Sequence, residues 1–258
     1  MKTIFFLVAL VLASLCLKAQ SNYLPTAMPF LRVAPDARAS ALGETGAATT
    51  PDLNSMYWNN AKLAFLDGDY GMSFSYVPWL TQLKSGITSL YATGFRKFDD
   101  TQSLGIAFNY FTLGKVNYYD EVGNDIGKYN PNEFSIEIAY AKQITDKMSL
   151  GFTGKYLNSD LASGQNASGV VTMPASTAAF DLGWYYENTA RNNSRLSYGL
   201  VLTNIGPKIR QSTGGGQFLP MGLRFGTQVH LEGYNSGWNF SLDINKLLVP
   251  TPPIESFE

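Results

Sequence analysis

Between Glu133 and Asn158 apolar residues alternate with small or polar ones, and this alternation limits the possible folds more than any other feature of the chain. Phe134, Ile136, Ile138 and Tyr140 interleave with Ser135, Glu137, Ala139 and Ala141. After a tight turn at Thr145-Asp146-Lys147, Leu150, Phe152 and Tyr156 interleave with Ser149, Gly151, Thr153 and Lys155. A period of two marks two antiparallel strands joined by a hairpin. The polar set holds Glu137 and Lys155, whereas the apolar set carries no charge before Lys142 at the strand end. Each strand runs about ten residues, the length with which a tilted strand crosses the hydrocarbon layer of a bilayer.

The unit recurs. Nine strands are expected, at residues 70–78, 87–96, 103–111, 133–143, 148–158, 176–187, 195–205, 220–231 and 237–245. The second is the least clearly phased. The connections alternate in length: 97–102, 144–147, 188–194 and 232–236 are short, whereas 112–132, 159–175 and 206–219 are long. Outer-membrane barrels have short periplasmic turns and long outer loops, so a periplasmic N-terminus puts every long loop outside. A secreted β-sandwich also alternates along its strands but has no reason to sort its loops this way.

Composition agrees. Charged residues make up 15% of the chain, below the roughly 25% of an average soluble domain. Aromatics reach 14%, and mean hydropathy is −0.07. The expected fold is all-β: a transmembrane antiparallel up-and-down β-barrel of the Gram-negative outer membrane. Single-chain bacterial barrels have even strand counts, and an open edge in lipid leaves backbone groups unpaired. With nine strands followed by Pro252-Pro253, the chain is expected to lack C-terminal strands.

Residues 1–19 read as a secretory signal, with Lys2, an apolar run from Ile4 to Leu17 and Ala19 before the cut. Cys16 raises lipoprotein processing as an alternative, against which stands the large Leu15 before it. Cleavage after Ala19 removes the single cysteine and leaves 17 basic against 20 acidic residues, a net charge of −3. That balance argues against a nucleic-acid surface. Residues 20–69 do not alternate and are rich in Ala, Gly and Pro. Asp36 to Leu42 can form a short helix capped by Asp36, and Pro51 to Ser55 can open another. Met28, Phe30, Leu31, Met56, Tyr57 and Trp58 oppose a disordered leader. The expected division is a signal at 1–19, a plug segment at 20–69 and a barrel at 70–258.

No catalytic site is expected. His230 is the single histidine, and no nucleophile elbow accompanies it. Asp120, Glu121, Asn124 and Asp125 miss the spacing of a Ca²⁺ loop and read as a solvated loop. Gly214-Gly215-Gly216 reads as a flexible outer loop rather than a phosphate cradle. Neither a metal nor a cofactor is expected. Glu137, Lys155, Asp181, Arg224 and Asp243 share the lumen phase; they either pair with one another and with the N-terminal segment, or line a solute path. Trp79, Tyr118, Tyr119, Phe218, Leu247 and Leu248 are candidate partner-binding residues of the outer loops, with membrane-interface anchoring the alternative for Trp79.

Several stretches carry a family likeness. Pro29-Phe30-Leu31-Arg32-Val33-Ala34-Pro35-Asp36-Ala37-Arg38 followed by Gly43-Glu44 resembles the opening of the PorV family, outer-membrane barrels of the type IX secretion system. Ser55-Met56-Tyr57-Trp58-Asn59-Asn60-Ala61-Lys62 is similar to the next family block, where Pro more often stands at the position of Asn60. Asn132-Glu133-Phe134, Thr203-Asn204-Ile205-Gly206 and the stretch from Asn245 to Pro253 are similar as well. The resemblance implies a FadL-like barrel of fourteen strands with an N-terminal plug. It also implies a non-enzymatic role: receiving the C-terminal domain of secreted cargo at the translocon and shuttling it to a surface attachment complex with a peptidase-like subunit. The alternative is a FadL-like channel for long-chain fatty acids or other hydrophobic solutes, with the N-terminal segment as its gate.

Overall fold

The computed structural model describes residues 26–80, 82, 84–119, 122–123, 125–161, 166–167, 170–171, 173–190, 193–210, 216–233 and 236–249. The expected signal at 1–19 lies outside them. The N-terminal part holds two short helices, α1 (Ala37–Ala41) and α2 (Ser55–Trp58), and two 3-10 turns at Pro29–Arg32 and Asn60–Phe65. Asp36 opens α1 by accepting the Ala39 N–H at 2.8 Å, which satisfies one of the donors a helix start leaves free. Among the described residues no helix is long and apolar enough to cross a membrane.

The strands are β1 (Tyr70–Pro78), β2 (Thr88–Asp99), β3 (Gln102–Thr112), β4 (Val116–Tyr119), β5 (Asp125–Tyr129), β6 (Asn132–Thr145), β7 (Met148–Asp160), β8 (Asn166–Ala167), β9 (Val170–Val171), β10 (Ala175–Thr189), β11 (Arg195–Ile205), β12 (Gly222–Glu232) and β13 (Gly237–Leu247). Nine of them form one antiparallel sheet whose spatial order, β1-β2-β3-β6-β7-β10-β11-β12-β13, follows the chain. This is the up-and-down order of a barrel wall, with β1 and β13 as its two edges. All nine expected strands are present. β2 and β6 run three and two residues further at the turn end, because the ladder continues to the two-residue turns Asp100-Thr101 and Asp146-Lys147. The pairs β4–β5 and β8–β9 are small side hairpins inside two of the long connections. Strands of two to five residues are too short for alternation to reveal.

Register fixes which face each side chain takes. Ile136 opposite Tyr156 lies on one face, and Glu137 opposite Lys155 lies on the other. On the first face Met72, Phe74, Ile106, Ile138 and Leu242 are all more than half exposed. Among the described residues no second sheet covers this exposed apolar face, the pattern expected of the outer wall of a barrel.

The other face is filled by the chain's own N-terminal part. Stretch 46–64 meets every strand of the large sheet, from Leu53 against Gly71 of β1 to Gly46 bonded to Asp243 of β13. Thr93 of β2 contacts the Met56 sulfur, and Gln143 of β6 donates to the Ala64 carbonyl at 3.0 Å. One stretch of this length reaches nine strands only if the sheet curls around it. Two apolar layers result. Phe30, Leu31, Phe111, Leu157 and Leu219 pack at the long-loop end, and Met56, Leu63, Tyr91, Phe95 and Ala141 pack at the short-turn end. The weak phasing of β2 now has a cause: Tyr91 and Phe95 point inward to meet this segment, so both faces of the strand are apolar.

Candidate functional site

The closest approach between segment and sheet runs along Asn59 to Ala61. The Asn59 amide donates to the Ala47 carbonyl at 2.8 Å and to the Trp184 carbonyl of β10 at 3.0 Å. The Asn60 amide donates to Thr153 Oγ1 at 2.7 Å, and Ser149 Oγ donates to the Ala61 carbonyl at 2.7 Å. The backbone comes this near because the strands beneath carry glycine. A Cβ on Gly183 would collide with Asn60 Oδ1, and a Cβ on Gly199 would collide with the Ala47 carbonyl. Gly151 and Gly226 continue the same row. Asn60 opens the second 3-10 turn, and the Asn59 side chain caps it by accepting the Ala61 N–H at 3.1 Å.

Three of the five lumen-phased charges come together. Lys155 and Asp181 form an ion pair at 2.7 Å with both side chains almost fully buried, and Glu137 stands opposite Lys155 across the β6–β7 ladder. Asn204 closes the group: its Oδ1 accepts from Lys155 Nζ at 3.1 Å and its N–H donates to Asp181 Oδ1 at 2.7 Å. The register slips there, with two residues of β11 facing one of β10, and Asn204 takes a φ of 56°. This is a β-bulge that re-aims the Asn204 backbone. The remaining two charges serve the N-terminal segment. Asp243 Oδ2 accepts the N–H groups of Gly46 and Ala47 at 2.8 and 2.9 Å. The Arg224 guanidinium lies 4.6 Å from the centre of the Trp58 ring, with Nε donating to Asn245 Oδ1 at 2.8 Å.

Sequence reasoning missed the polar residues of the segment itself, where no alternation marks a face. Lys62 is fully buried, and its Nζ donates to the Gly46 carbonyl at 2.8 Å, the Thr49 carbonyl at 3.2 Å and Thr49 Oγ1 at 3.1 Å. Burial pushes its ammonium down to about 8. Asp36, besides capping α1, accepts from Trp58 Nε1 at 2.6 Å. Buried Glu133 accepts from Ser159 Oγ at 2.6 Å and from the Phe30 backbone.

The loop residues are more diverse than expected. Tyr119 is 59% exposed. Trp79 is partly exposed and rests edge-on against Phe111, with ring centres 5.8 Å apart. The side chain of Tyr118 lies outside the described residues, as do Asp120, Glu121 and Asn124 of the acidic loop and Gly214-Gly215. The described residues of connection 206–219, read from sequence as a long outer loop, include buried ones. Ile209 and Leu219 are buried, Ile209 bridges to Gln217, and the Phe218 carbonyl accepts the Ala27 N–H at 2.9 Å. Phe218 is half-buried beneath Lys208, whose Nζ sits 4.2 Å from the ring centre. Leu247 ends β13, next to the connection that follows it, and the Leu248 N–H bonds to the Met221 carbonyl at 2.8 Å. His230 joins Glu232 at 2.9 Å and Asn239 at 3.0 Å beside the β12–β13 turn.

Residues 17–254 match the family model described as type IX secretion system protein PorV, which covers nearly the whole chain. No curated protein matches.

Proposed function

Because the chain belongs to the PorV family of the type IX secretion system, we propose that it is a multi-pass outer-membrane barrel that captures secreted cargo and passes it on. In this reading it binds the C-terminal domain of cargo at the translocon and carries it to the surface attachment complex, without chemistry of its own. The observation that carries the reading is the seating of stretch 46–64 against all nine strands of the sheet. The segment acts as a plug, Lys155 and Asp181 are committed to one another and Asp243 to the segment, and Gly183 and Gly199 bring its backbone into contact with the wall. A solute channel would need that volume open. Exchange with partners is left to the long-loop end, where Trp79 and Tyr119 offer exposed aromatic surface of the kind that dominates binding energy.

The test is a pull-down from solubilised outer membrane with the tagged full chain and with a Trp79→Ala/Tyr119→Ala double variant. Translocon and peptidase-like subunits should be recovered with both, and cargo should fall by about tenfold or more with the variant. Full cargo recovery by the variant would remove the loop assignment. Uptake of labelled fatty acid without partner recovery would replace the shuttle with the channel.

A further inference from the structure

Above the plug, between the turn at Pro29–Arg32 and strands β11 to β13, lies a cavity of about 190 Å³. Its lining carries four cationic residues, Arg32, Lys155, Arg224 and Lys246, against a single carboxylate, Glu44. Lys155 is neutralised by Asp181. Among the described residues neither Arg32 nor Arg224 takes part in an ion pair. Arg224 makes two contacts, its guanidinium over the Trp58 ring and its Nε donating to Asn245 Oδ1. Among the described residues its Nη1 is nevertheless buried with no acceptor. A buried donor on a charged group is costly to leave unmade, and guanidinium presents paired donors that fit a carboxylate or phosphate edge. The volume takes such a group with water around it.

We propose that this cavity binds an oxyanion, a phosphate or carboxylate group, on Arg224, with Arg32 at its rim. The site does not depend on the loop aromatics Trp79 and Tyr119, because neither lines the cavity. Trp58 supplies an internal reporter beneath the guanidinium.

The full chain in detergent micelles is titrated at constant ionic strength with sodium phosphate and, separately, with sodium acetate, followed by calorimetry and by tryptophan fluorescence. Saturable one-to-one binding is expected, with a Trp58 signal that Trp58→Phe removes. Arg224→Gln should weaken it by about tenfold or more, as loss of a charge-assisted hydrogen bond requires, and Arg32→Gln should weaken it less. Tighter phosphate binding assigns a phosphoryl group, and tighter acetate binding assigns a carboxylate. Absence of saturation by both anions, or a folded Arg224→Gln variant that binds like wild type, overturns the site. Should Arg224→Gln fail to fold, unchanged affinity in Arg32→Gln overturns it instead.

Discussion

Asp243, on the last strand of the sheet, holds the N–H of Gly46 at 2.8 Å, clamping the N-terminal segment across 197 positions of sequence. The same oxygen takes the Ala47 N–H at 2.9 Å, so one carboxylate fixes two consecutive backbone donors. Hydrogen bonds to a charged acceptor contribute about 1.5–3 kcal/mol each. Asp243→Ala should therefore loosen stretch 45–50 while leaving the strand ladder intact. Limited proteolysis in detergent is the measurement: cleavage within 40–50 should accelerate with the strands still protected. Wild-type cleavage would mean that the clamp is energetically idle.

Gly183 and Gly154 make opposite predictions for one chemical change. A side chain at Gly183 runs into Asn60 and Asn59, whereas a Cβ at Gly154 meets nothing closer than a Phe152 ring atom at 4.0 Å. Valine suits a strand better than glycine does. Gly154→Val on the lipid side should be neutral or stabilising. Gly183→Val should cost about 1–3 kcal/mol by overpacking, and thermal unfolding of the two variants in the same detergent separates them. Equal melting points would mean that the plug does not press on β10.

Leu219 tests the burial found in its connection. It is 2% exposed and packs with Phe30, Leu157 and Ala179. Leu219→Ala should cost about 2–5 kcal/mol, a large loss for a residue that sequence places in a surface loop. A change below about 0.5 kcal/mol, as surface positions give, would return the connection to the solvent.

The strands were legible because each has a face that meets lipid and a face that does not, and a period of two records that difference directly. The curl and filling of the sheet were not legible. They depend on contacts such as Gly199 with Ala47 and Asn59 with the Trp184 carbonyl, in which the residues share no periodicity. β2 shows the boundary between the two cases: Tyr91 and Phe95 blur its pattern because their partners are apolar plug residues rather than water. The family stretches gain a physical meaning from the same contacts. Glu133 takes the Phe30 N–H, Asp36 takes Trp58 Nε1, and Asn204 joins Lys155 to Asp181. These residues mark where the plug meets the wall and where the wall's own charges are paired.

Lys62 gives the plug a pH dependence whose sign follows from its burial. Desolvation, opposed by Asp52, holds its ammonium down to about 8 against a usual value of 10.5. Below pH 8 the folded and unfolded chains both carry the proton, and the cost of burying the charge is complete. Between pH 8 and 10.5 the folded protein releases a proton that the unfolded chain keeps, so the unfolded state binds more protons and stability rises with pH. Above 10.5 both are neutral and the gain is finished. Other groups titrate in this range, so the quantity to measure is the stability of the wild type relative to Lys62→Met in the same detergent. That difference should climb between pH 8 and 10.5 in favour of the wild type and stay level from pH 6 to 7.5. A level difference throughout would mean that the carbonyls of Gly46 and Thr49 hold the proton as firmly as water does.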